Sequence, residues 1–266
     1  DEPDKARSPS QTIKPEKIYV IDDGSTDGTS EILRELACER IEVIRHESHT
    51  RDFMRIPILY NLALQRNQAH IDFLLFTSDD AKYPSDYIES LIEKIRENNK
   101  LVVVSGDFAA KELGDRAPQG TGRLVNYPYY RQVGGYPEGL WGWESWLLFK
   151  ALMDGREIKN FQDIRFQHTR PYSNASIITF GYAMYCLGYS PLMVAGRFLI
   201  NFLRHYMTFT QNCMMLYGYI KAFVKRYRGA DPQFRRTLRY LQHKRILYYL
   251  LRLLRIKIKK SRYAWV

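Results

Sequence analysis

Apolar and polar positions along the first hundred residues alternate between two periods. Ile18, Val20 and Ile21 form a short β-type run that stops at Asp22-Asp23-Gly24. Ser30-Glu31-Ile32-Leu33 then begins a helical pattern, so a strand over 18–22 and a helix over 29–38 are expected. A short strand follows at Ile41–Arg45, and Ile58, Leu59, Leu62 and Leu64 mark a helix over roughly 56–68. "IDFLLFTSDDAKYP" reads as a buried strand over 71–77 running into acids. Pro84-Ser85-Asp86 opens a helix through about Glu97, and "KLVVVSGD" is a further strand over 100–105. Strands alternating with helices predict an α/β fold with a mainly parallel sheet and helices on both faces.

The texture changes after Asp107. Residues 111–140 are rich in Gly, Pro and Arg and read as loops. "WGWESWLLFKALMDG" resumes a helix with Gly155 placed to end it. "IKNFQDIRFQHTRPY" reads as a strand leaving through His168. Residues 176–224 are apolar but interrupted by Arg197, Arg204 and Lys221. A helix over 234–258 carries Leu247, Leu250, Leu251, Leu254 and Ile258 on one face, with Arg252, Arg255 and Lys259 on another. The natural division is an α/β domain over 1–175 and a helical, basic region over 176–266.

Composition adds little for the first part and much for the second. Hydrophobic residues at 45% and charged residues at 26% are ordinary for a folded protein. Cys38, Cys186 and Cys213 have neither disulfide nor metal-ligand spacing, which fits a reducing, cytoplasmic setting. The net charge of +11 is concentrated. Residues 225–266 hold 14 Lys and Arg against Asp231 alone, leaving the rest at −2. A basic amphipathic helix of this kind favours an anionic membrane surface, at about 1 kcal/mol per basic residue near it. The chain is therefore expected to be peripheral to the inner face of the cell membrane, with a solvated helix packed on the rest of the chain as the alternative. No nucleic-acid-binding motif accompanies the charge, so nucleic acid is not expected as a partner.

Chemistry concentrates where strands end in acids. A calcium-binding loop starting at Asp23 would need a glutamate where Arg34 stands, so it fails. An aspartyl phosphatase would need its nucleophile where Ser25 stands, so that fails too. A loop gripping a nucleotide through carboxylates remains, with an ordinary turn as the alternative. If the strands ending at Asp22/Asp23 and Asp79/Asp80 are neighbours, the four acids converge on one crevice, and a divalent cation would relieve their repulsion.

"QTIKPEKIYVIDDGSTDGTSEIL", then "FLLFTSDDAKYP", "GGYPEGLWGWESWLLFKAL" and "FQHTRP", in that order, resemble the family 2 glycosyltransferases of the GT-A (Rossmann-like) fold. The resemblance spans roughly residues 11–190. It implies a nucleoside-diphosphate sugar donor, Mn²⁺ or Mg²⁺, and transfer with inversion to a hydroxyl acceptor on a glycan or polyprenyl-linked molecule. By position, Asp22, Asp23, Gly24, Ser25, Asp79 and Arg55 would bind the nucleotide. Asp80, Asp79 and His168 would hold the metal, with Ser78 standing where the family's Asp-x-Asp has its first acid. Glu144 would be the general base, flanked by tryptophans that offer faces for stacking on a sugar ring. Trp143, Trp141 and Arg123 would meet the acceptor. The family's first strand and helix have no counterpart ahead of Gln11, and with Ser78 this keeps a second function in view. That alternative is a catalytically defective module binding sugar nucleotides or a membrane surface.

Overall fold

A computed structural model of the chain describes residues 11–47, 52–67, 70–108, 117–169 and 174–253. β1 (Ile18–Asp22) and β2 (Ile41–Arg45) pair in parallel, with Ile18 beside Ile41 and Asp22 beside Arg45. Between them, α1 (Thr29–Leu36) is entered through Gly28 at a φ of 86°, a left-handed conformation that costs glycine nothing. α2 (Ile56–Gln65) precedes β3 (Phe73–Phe76), β4 (Ala81–Lys82) and α3 (Tyr87–Glu97). β5 (Leu101–Asp107) is buried along its whole length, as its unbroken Val-rich run requires of a central strand.

The region expected to be loop contains β6 (Arg123–Asn126) and α4 (Tyr127–Gln132), the latter capped by the Asn126 side chain. β6 lies between β3 and β5 and runs against both, pairing Leu124 with Leu75 and Val104. In the four-stranded sheet, ordered β3-β6-β5-β7, the inserted β6 is antiparallel to both neighbours, while β1 and β2 form a separate parallel pair; the expected α/β fold is present with antiparallel pairing around β6. α5 (Trp143–Met153) ends at Gly155, whose φ is 75°. β7 (Glu157–Arg165) follows, and β8 (Gln167–His168) pairs antiparallel with β4.

Contacts divide the chain into two compact units. The first holds β1 to β6, α1 to α4 and Asn160–His168. Its core packs Tyr87, Leu91 and Ile95 of α3 against Leu101, Val104, Leu124 and Phe166. The second holds Tyr136–Lys159 and the helices after Thr169: α6 (Asn174–Leu187), α7 (Pro191–Leu203), α8 (Phe209–Val224) and α9 (Pro232–Leu253). Thus α5, which the expected boundary at 175/176 groups with the strands, clusters with the C-terminal helices.

Within this second unit α6 and α8 touch backbone to backbone. A Cβ on Gly181 would lie 2.1 Å from the Met215 carbonyl oxygen, and one on Gly218 would lie 2.2 Å from that of Ile178. α9 buries Phe234, Leu238, Leu241 and Gln242, so the first half of the expected amphipathic helix spends its apolar face on its own unit. Residues 254–258 of that expected helix lie outside the described residues.

Candidate active site

The turn after β1 is built around Asp22. This carboxylate is 3% exposed. Its Oδ1 accepts the Ser25 backbone N–H at 2.8 Å, and its Oδ2 accepts from Ser30 Oγ at 2.5 Å and Arg45 Nη1 at 2.8 Å. Burial alone would raise its pKa. The hydrogen bonds from Ser30 and Ser25, with the Arg45 charge, outweigh that and hold it down at about 2. Gly24 takes a φ of 84° to close the turn. The register explains Arg45: it is the parallel-ladder partner of Asp22, so both strands end with opposite charges side by side.

Asp23 is the more accessible of the two acids. Arg55 Nη1 lies 2.7 Å from its Oδ1, which joins two residues assigned to the nucleotide from widely separated stretches of sequence. His46 Nδ1 lies 3.2 Å from the same oxygen, at ion-pair distance but without hydrogen-bond geometry. Sequence reasoning passed over Ser30, Arg45 and His46. The parallel register of two strands each ending in a charged residue was the available signal.

The second acidic strand end lies beyond β3. Ser78 Oγ donates to Asp80 Oδ1 and sits 2.9 Å from Thr121 Oγ1. Pairing of β4 with β8 sets Ala81 beside His168 and brings His168 Nε2 to 3.4 Å from Asp80 Oδ1. The His168 ring stacks on Phe108 with centroids 5.1 Å apart. Below it, Tyr83 bonds Thr77 through its hydroxyl at 2.7 Å, and burial pushes that phenol up to about 12, so it stays protonated. Asp79 is exposed. Among the described residues no three His, Cys, Asp or Glu side chains form a metal-holding group. The Asp80–His168 pair supplies two donors, and a cation bound through one or two protein ligands takes the others from phosphates and water. This carboxylate and imidazole are donors that fit such an ion.

Arg123, expected at the acceptor, is buried. It is 2% exposed on β6 and its Nε donates to the Gln119 carbonyl at 2.8 Å, which makes it an internal fastener of the 119–123 loop.

In the second unit Glu144 is the second residue of α5, exposed, at the helix end where a negative charge is favoured. The tryptophans around it in sequence have aromatic partners of their own. Trp141 meets the Tyr182 ring edge at 5.3 Å and Trp143 meets Tyr136 at 4.7 Å, while Trp146 stacks with Phe234 at 6.0 Å. Gly142 sets where α5 begins. Its φ is 85° and a Cβ there would lie 2.9 Å from Ala183 Cβ.

The α/β architecture, with acids ending β1 in one sheet and following β3 in another, is of the GT-A class, as the following matches show. Residues 8–155 match Glycosyl transferase family 2, and the chain belongs to that family. Sugar transfer from a nucleotide sugar is accordingly its class of reaction. Among solved structures 76 chains match. One is a mannosyltransferase, PcManGT from Pyrobaculum calidifontis, in complex with GDP-Man and Mn²⁺. It is 15% identical with a TM-score of 0.59, over 80% of this chain and 80% of that one. No curated protein matches significantly.

Proposed function

We propose that this chain is an inverting, divalent-metal-dependent glycosyltransferase that moves a sugar from a nucleoside diphosphate to a hydroxyl acceptor. The observation that carries the reading is the Asp80–His168 pair, assembled by the β4–β8 ladder at a strand end. These two side chains would hold the metal, with Asp79 beside them. When bound, the ion neutralises charge on the leaving diphosphate. Asp23 and Arg55, with the Gly24-Ser25 turn shaped by Asp22, would receive the nucleotide. Glu144 would accept the proton of the acceptor hydroxyl as that oxygen attacks the anomeric carbon opposite the diphosphate. Trp141 and Trp143 offer aromatic faces for an acceptor glycan, or for the sugar of a polyprenyl-linked one.

Because the Pyrobaculum mannosyltransferase was captured with GDP-Man and Mn²⁺, this pair is the first donor and metal to try. Glu144→Gln should lower turnover at least about a hundredfold while donor affinity stays within twofold. Loss of donor affinity instead would refute the base assignment. A binding module without turnover is the second reading. It is favoured by Ser78, which places a neutral hydroxyl on Asp80 at the first position of the acidic motif. Donor turnover by the unmodified chain decides between them.

A further inference from the structure

α7 and α8 are apolar on both sides. Inward, α8 buries Asn212, Met215, Gly218 and Ala222. Outward, it presents Phe209, Leu216, Ile220 and Phe223, each 36–63% exposed and spaced to lie on one face. α7 does the same with Leu192, Leu199 and Leu203, at 55–64% exposed. Rings of Phe202 and Phe209 meet at 6.3 Å, which joins the two stripes into one surface. A helix apolar on every side belongs in a core or in lipid, and a contiguous exposed patch of this kind marks an interaction site.

Charge selects the occupant. Residues 176–224 add Arg197, Arg204 and Lys221 and no acid to the fourteen-to-one basic balance of 225–266. The Arg197 guanidinium lies 5.3 Å over the Phe180 ring, and the Lys221 ammonium lies 5.7 Å over Tyr182 and Tyr217, so these two cations flank the exposed stripes on aromatic surface. A second copy would set these cations against an identical acid-free surface, and the chain beyond residue 253 is equally basic. Nucleic acid would satisfy the charge but leave the Phe and Leu side chains in water. Anionic lipid satisfies both.

We infer that the outer faces of α7 and α8 dock on the surface of an anionic lipid bilayer, with the apolar stripes among the acyl chains and the Arg and Lys heads among the lipid phosphates. This moves the apolar part of the expected membrane contact from 225–266 to α7 and α8. The first half of α9 already buries its apolar residues. Attachment is lateral: α7 has 13 residues and α8 has 16, and no helix among the described residues is long and apolar enough to cross a membrane.

Flotation of the full chain with vesicles tests this without any need for turnover, so it can fail while the transferase reading stands, and the reverse. The chain should float with phosphatidylcholine–phosphatidylglycerol vesicles and stay down with phosphatidylcholine alone. Leu203→Asp/Phe223→Asp, at two exposed positions, should weaken flotation at least about tenfold. Leu199→Ser/Ile220→Ser should weaken it in the same direction, and both variants should keep the native circular dichroism. Wild-type chain that ignores both vesicles overturns the proposal. So does undiminished flotation of both variants, which would assign binding to charge alone. Self-association that Leu203→Asp/Phe223→Asp abolishes, with no flotation by the wild type, would make the surface a contact between copies instead.

Discussion

Asp22 and Asp23 are neighbours in sequence with different surroundings. Asp22 is enclosed by donors from Ser25, Ser30 and Arg45, while Asp23 is held at the surface by Arg55. Asp22→Asn should therefore destabilise the fold by about 1–2 kcal/mol at pH 7, the lower end for charge-assisted bonds because Arg45 is partly solvated. The sign with pH follows from the depressed folded pKa. Asp22's contribution is complete above about pH 4, where the unfolded carboxyl is ionised, and is lost as pH falls towards 2. Urea midpoints of the wild type and Asp22→Asn should converge over that range; a gap that stays constant down to pH 2 would contradict it. The sequence singled out both acids but offered no means of ranking them, because their difference comes from Ser30 across the turn and Arg45 one strand away. The burial of Arg123 was hidden for a related reason. An arginine in a Gly-rich stretch looks exposed until β3 and β5 close around β6.

At the level of elements, legibility tracked length and self-sufficiency. β1, β2, α3 and α5 carry their own periodicity and end at residues with the right chemistry, Gly155 among them. β6 is four residues long and owes its existence to the edges of β3 and β5, so nothing in "RLVN" announces it. β4 and β8 are two residues each, yet their pairing places His168 on Asp80. The amphipathic pattern of α9 was readable, but not the side that packs. The α6–α8 crossing was not foreseen, since two glycines in apolar helices do not say which helices meet. It now makes a sharp prediction. Gly181→Ala would drive its Cβ into the Met215 carbonyl, so it should cost about 3 kcal/mol and lower the melting temperature by roughly 6–10 °C. A change under 1 °C would mean the helices part easily. Gly142→Ala should lower turnover more than donor affinity, because it shifts the α5 terminus that carries Glu144. Steady-state kinetics would show a fall in kcat with a nearly unchanged donor KM, and the opposite split would remove Glu144 from the chemistry.

Across the whole molecule, charge and chemistry are segregated in sequence. Acids that end strands lie in the first unit, and the basic, apolar helices lie in the second. Family membership and the class of reaction rest on the match of residues 8–155 to Glycosyl transferase family 2. Donor, metal and acceptor are finer matters that rest on a few side chains, of which Asp80 and His168 matter most. Calorimetric titration of GDP, with UDP alongside, in the presence and absence of Mn²⁺ tests them most directly. The account predicts that one nucleotide binds at least about tenfold more tightly with Mn²⁺, and that Asp80→Asn and His168→Ala each abolish the enhancement. Nucleotide binding that is equally tight without metal, or a metal enhancement that survives both substitutions, would contradict it.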